Sequence, residues 1–135
     1  MHMSSMQSHS RLISHVPRHL IQQAVAKKVG RGWRADFNVA VWLHLATTGD
    51  AQVTLKVSYQ DGETVREQLI DRGRVGFNQR ILLCGIARLE YNQAIESMSL
   101  SLLCEEPIQT LMVDELFVQA VELQRDGERN RKGRR

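Results

Sequence analysis

The run Phe37-Asn38-Val39-Ala40-Val41-Trp42-Leu43-His44-Leu45 sets the architecture of this chain. Phe37, Val39, Val41, Leu43 and Leu45 recur at every second position, with Asn38, Ala40, Trp42 and His44 between them. A period of two places the first set on one side of an extended strand and the second on the other. The run therefore predicts a β-strand with one face in the core.

The same period continues downstream. Thr47–Asp50 reads as a turn around Gly49, after which Val53, Leu55, Val57 and Tyr59 alternate with Gln52, Thr54, Lys56 and Ser58. Gln60-Asp61-Gly62-Glu63 follows, and Asp-Gly between alternating runs is a strong hairpin signal. Thr64–Ile70 predicts the returning strand, and Asp71–Gly76, with two glycines, a turn region. Arg80–Cys84 predicts a short strand closed by Gly85, and 86–95 a connection. Met98, Leu100, Leu102 and Cys104 alternate with Ser97, Ser99 and Ser101. Glu105-Glu106-Pro107 breaks that run before a last strand over 110–122, whose alternation slips near Asp114 and Glu115. Upstream, two readings stay open. Pro17 and the spacing of Leu20, Ile21, Ala24 and Val25 suit a short helix over 17–29, ended by Gly30 and Gly32, whereas 20–25 also suits a strand. Residues 1–15 carry no period and are expected to be disordered.

Six to seven short strands joined by turns predict an all-β, antiparallel jelly-roll-type β-sandwich over 16–124, with the N-terminal helix as an option. Helical crossovers have no room between residues 51 and 85, which excludes a doubly wound α/β fold. The 135 residues are 42% hydrophobic and 24% charged, as in ordinary globular domains, and suffice for one core. No apolar run is long enough for a membrane-spanning helix. Residues 1–10 lack the apolar stretch of a secretory signal, which leads to the expectation of an intracellular protein or an excised domain.

The net charge of +3 conceals segregation. Residues 1–34 hold six basic residues and no acid, 35–124 hold six basic and thirteen acidic residues, and 125–135 hold six basic and two acidic residues. The acidic body argues against nucleic-acid binding through the domain. The basic 125–135 segment reads as a disordered tail. Cys84 and Cys104 both fall in apolar runs and are expected as buried free thiols, with a strand-to-strand disulfide as the alternative.

No GxSxG, HExxH, phosphate-binding loop or GxGxxG occurs, and Asp50, Asp61 and Asp71 sit in turns where backbone hydrogen bonding accounts for them. A non-catalytic module is the resulting expectation. The polar strand positions offer more. Trp42 and His44 with Asn38, then Lys56 with Gln52, Thr54 and Ser58, then Arg66 and Gln68, and Ser97, Ser99 and Ser101 are the outward positions of successive strands. If they line one sheet face, an indole among amide, hydroxyl and charged groups suits a sugar, whose CH face stacks while its hydroxyls bond. A plain solvated sheet face is the other reading.

The order of these features resembles the jelly-roll carbohydrate-binding modules, galactose-binding-like β-sandwiches, found beside bacterial xylanases and related glycanases. The likeness runs over residues 33–121. It consists of Phe37–Leu43 and its Trp42, the Val53–Tyr59 strand with Asp61-Gly62, Phe77 ahead of Arg80–Gly85, the Ser97–Cys104 strand, and the closing Val113-Asp114-Glu115-Leu116-Phe117-Val118. The resemblance implies glycan binding with Trp42 stacking and His44, Lys56, Arg66 and Gln68 as polar contacts. It also implies a structural calcium with Asp114 as a ligand. The competing expectation is a protein-interaction or assembly module, a homo-oligomer included, using the acidic body and basic ends.

Overall fold

Strict alternation is carried through in three dimensions. The structure, a computed structural model, describes residues 9–121. Its elements are β1 (His9–His15), α1 (Arg18–Gln22), β2 (Lys27–Val29), β3 (Gly32–Thr47), β4 (Ala51–Asp61), β5 (Thr64–Val75), β6 (Asn78–Tyr91), β7 (Ile95–Cys104) and β8 (Ile108–Ala120). One antiparallel sheet has the order β1-β7-β4-β5. In the other, β3 pairs with β6 on one side. On its other side β3 pairs with β2 near its start and with β8 along the rest. All pairings are antiparallel, and the all-β sandwich expected from the alternation is the fold observed.

Phe37, Leu43, Leu45, Leu55, Leu83, Leu89, Leu100 and Leu102 are fully buried between the sheets. Each contributes about 1.5–3 kcal/mol of hydrophobic burial, an upper bound because unfolded chains are partly compact. Tyr59 reaches the same core and its hydroxyl donates to the Glu90 carbonyl at 2.7 Å. The β4–β5 turn places Gly62 at φ +62, a left-handed conformation in which a Cβ is costly.

Several local expectations are corrected. His9–His15 are not disordered: they form β1, edge-paired to β7 with a bulge between Leu12 and Ser14. Residues 1–8 and the basic tail over 125–135 lie outside the described residues. The helix is five residues long, not thirteen. Leu20, Ile21 and Ala24 pack on the core as the helical spacing required, but Lys27–Val29 pair with Gly32–Arg34 as a hairpin instead. The predicted turn at 71–76 is strand: β5 runs to Val75, with Ile70 bulged opposite the Leu55–Lys56 step. The predicted connection at 86–95 is largely strand, because Leu83, Ala87 and Leu89 keep alternating inward as far as Tyr91. The slip at Asp114 is a β-bulge: Trp42 faces Glu115 and Leu43 faces Val113.

β5 and β6 close one flank. Gln68 Oε1 accepts the Arg88 N–H, and Asp71 Oδ2 accepts the Cys84 N–H, both at 2.8 Å. Side chains of β5 thus satisfy the outer edge of β6. Gly85 lets the strands approach, since a Cβ there would sit 3.0 Å from the Ile70 carbonyl. Cys84 is exposed, not buried, because it alternates outward from Leu83. Cys104 is buried, both thiols are free, and burial pushes the Cys104 thiol upward.

Candidate functional site

The outward residues of β8, β3 and β6 form three consecutive cross-strand rows. They are Met112–His44–Arg80, Glu115–Trp42–Leu82 and Phe117–Ala40–Cys84, followed by Gln119–Asn38–Ile86. Trp42 sits at the centre of this face, half-buried. The Arg80 guanidinium lies over its ring, 4.5 Å from the centroid. Arg80 Nε donates to Asp114 Oδ2 at 2.8 Å, so the bulge at Asp114 fixes the cation that covers the indole. His44 Nε2 and Asn78 Oδ1 are 2.8 Å apart on the neighbouring row. The face therefore offers one aromatic plane, a tethered cation, an imidazole and an amide within two rows. Around them it is apolar: Met112, Phe117, Ile86 and Leu82 are 62%, 51%, 43% and 41% exposed.

The residues anticipated for one binding surface are not on one surface. Trp42 and His44 occupy the outer face of the β3 sheet, whereas Lys56 lies on the outer face of the other sheet, on the far side of the molecule. There Lys56 Nζ donates to Glu67 Oε2 at 3.1 Å among Ser58, Ser99 and Ser101. Arg66 and Gln68 are on neither outer face. They pair opposite Tyr59 and Val57, two core residues. Gln68 caps the β6 edge, and Arg66 Nη2 lies 3.0 Å from Asp61 Oδ2.

Asp61 is a structural residue. Its carboxylate accepts the N–H groups of Asn92 and Gln93, each at 2.8 Å, and clamps the β6–β7 connection to the β4–β5 turn. Burial pushes its pKa up, but these backbone N–H groups, that of Ala94 and the Arg66 charge outweigh it, and the net shift is downward. The carboxylate sits at the rim of the sandwich, sealed by its own partners rather than by depth.

Asp114 does not gather a calcium set. Its carboxylate is taken by Arg80, and among the described residues no three His, Cys, Asp or Glu side chains converge. A calcium ion requires six to eight oxygens, and Asp114 brings one carboxylate, already paired with Arg80. Sequence reading missed Arg80, Asn78 and the four exposed apolar residues. The β6 partners of β3 become visible only once register is known.

No protein-family model matches the sequence, and no curated protein matches it. Solved structures do. The chain superposes on the N-terminal endo-1,4-beta-D-xylanase 10B of Clostridium thermocellum, CBM22-1 and GH10 modules complexed with xylohexaose. The TM-score is 0.52 at 12% identity, over 87% of this chain and 25% of that one. This chain thus spans a quarter of that protein's length. The CBM22-2 xylan-binding domain of Paenibacillus barcinonensis Xyn10C gives a TM-score of 0.42 at 10% identity, over 67% of this chain and 71% of that one. A further xylan-binding domain from CBM 22 gives 0.43 at 19%, over 73% and 69%. The likeness to xylanase-associated carbohydrate-binding modules is one of fold.

Proposed function

We propose that this chain is a non-catalytic glycan-binding module whose ligand lies on the outer face of the β3 sheet. The observation that carries the reading is Trp42 at the centre of that face, with His44–Asn78 and Arg80–Asp114 as polar groups one row away. A sugar ring stacks on the indole in place of the Arg80 guanidinium, which stays tethered to Asp114 and donates to ring hydroxyls. The fold shared with a xylanase module complexed with xylohexaose makes a β-linked plant-type glycan the first class to test.

The test is titration calorimetry with xylohexaose beside a soluble-glycan array, in calcium and in chelator. Saturable binding that Trp42→Ala weakens at least tenfold, with an unchanged unfolding midpoint, supports the reading. Equal affinity in Trp42→Ala, or no binding across the array, overturns it. Lys56→Ala serves as a control on the opposite face and leaves affinity unchanged.

A second reading, a protein-interaction or assembly module, is favoured by the exposed Met112, Phe117, Leu82 and Ile86 on the same face. Clustered exposed apolar side chains mark interaction surfaces.

A further inference from the structure

The Arg80–Asp114 pair spans β3. Arg80 belongs to β6 and Asp114 to the bulge of β8, and these two strands flank β3 on opposite sides. The side chains therefore meet above β3, where the guanidinium lies over Trp42. They are joined by one hydrogen bond, Nε to Oδ2 at 2.8 Å. Arg34 differs, because it reaches both oxygens of Asp36 through Nε and Nη2. Among the described residues, Arg80 thus keeps its Nη donors, and Asp114 its Oδ1 acceptor, for another partner. The neighbouring pair has the same make-up. Asn78 Oδ1 only accepts, so His44 Nε2, 2.8 Å away, carries the proton. That leaves the Asn78 NH₂ to donate and Nδ1 of the neutral imidazole to accept. Two donor–acceptor couples therefore stand beside one indole, each uncharged as a whole. Glu115, opposite Trp42 on β8, adds a second carboxylate and no second cation.

We propose, on the footing of the glycan reading, that this face selects neutral glycans by a vicinal diol. One hydroxyl of the ring stacked on Trp42 donates to Asp114 Oδ1, and its neighbour accepts from Arg80 Nη. Asp114 is then a specificity-determining residue. A hydroxyl both donates and accepts, so two adjacent hydroxyls complete such a couple without adding charge. A ligand carboxylate only accepts. It suits Arg80 but sets a like charge against Asp114 and Glu115, and a juxtaposed like charge is how a site rejects a competitor. An ether or ester oxygen in place of the donating hydroxyl leaves Asp114 Oδ1 unpaired, and sites built around a hydroxyl reject analogues that lack it. A purely apolar partner desolvates both charged groups and returns no hydrogen bond to either.

The experiment is titration calorimetry of the full chain with four probes: xylohexaose, cellohexaose, fully O-methylated xylohexaose and a β-1,4-linked glucuronate hexamer. O-methylation keeps the CH faces and removes every hydroxyl donor. The glucuronate keeps the diols of cellohexaose and adds a carboxylate to each ring. Xylohexaose is expected to bind at least tenfold more tightly than its O-methylated form, and cellohexaose than the glucuronate, each through Trp42. Asp114→Asn, with an unchanged unfolding midpoint, is expected to weaken the neutral hexamers and to narrow both ratios at least threefold, because an amide also donates to ether and carboxylate oxygens. Equal affinity for xylohexaose and its O-methylated form overturns the proposal, since stacking alone would then account for binding. A glucuronate that binds at least as tightly as cellohexaose overturns it too. So does an Asp114→Asn variant that weakens all probes by one factor, which is the mark of a structural role. In each of these outcomes binding still requires Trp42, and the glycan reading stands. No binding of any probe that Trp42→Ala weakens overturns both.

Discussion

Replacing Asp61 by alanine removes a single carboxylate that serves several partners at once. It strips the acceptor from the Asn92 and Gln93 N–H groups and leaves Arg66 without its counter-ion. Hydrogen bonds to a charged acceptor contribute about 1.5–3 kcal/mol each. The Arg66 guanidinium is partly solvated, so its ion pair adds under about 1 kcal/mol. The expected loss is about 3–6 kcal/mol, a large share of the stability of a single domain. In a domain of this size that lowers the melting temperature by roughly 10–20 °C. Urea unfolding followed by tryptophan fluorescence and circular dichroism measures it. Asp61→Asn keeps one acceptor oxygen and is expected to lose about half as much. The advantage of the wild type over Asp61→Asn also depends on pH. The folded pKa is below the ordinary 3.8, so the advantage is complete above that value and disappears as pH falls through the folded one. A loss under about 1 kcal/mol in Asp61→Ala, or an advantage over Asp61→Asn that ignores pH, refutes the clamp.

Three further outcomes are expected. In the native state an aromatic disulfide reagent titrates one thiol rapidly, Cys84, and the second only on unfolding; two equally fast thiols would contradict the placement of Cys104. Gly62→Ala costs about 1–2 kcal/mol, because φ is +62 and the new methyl meets the Gln93 side chain; an unchanged urea midpoint argues against that turn. Lys56→Met changes stability by less than about 1 kcal/mol at low and high salt alike, since Glu67 is largely exposed; a larger, salt-dependent loss would show that the pair matters more than its exposure allows.

The strands visible in the sequence were those with one apolar face. Phe37–Leu45, Val53–Tyr59 and Met98–Cys104 announce themselves because every second residue is buried. The bulge at Asp114 is legible for the same reason, as a break in a regular period. β1 was hidden because an edge strand buries little: His9, Ser10, Arg11, Ser14 and His15 give no alternation to read. The ends of β5 and β6 were hidden by glycines, read as turns, that are there to let two strands approach. The site was legible only in part. Alternation assigns a residue to a face of its strand but not to a sheet. Trp42 and Lys56 are both outward, yet they point away from each other across the sandwich. Arg66 and Gln68 are polar because they tie elements together at the rim, a purpose a sequence pattern does not distinguish from ligand contact.

The side-chain seam between β5 and β6 gives the sandwich a spine. Along that flank the two layers are tied through Gln68, Asp71 and the tight turn at Gly76-Phe77. Along the opposite flank, among the described residues, β1 and β8 are bridged by Arg11 and the small apolar contacts of α1. Thermal breathing of such a body has a preferred direction, in the manner of a book whose pages part away from the binding. Amide protons of β8 and β1 exchange first, those of β4 and β3 last, and the molecule carries its softest motion along the margin between β1 and β8.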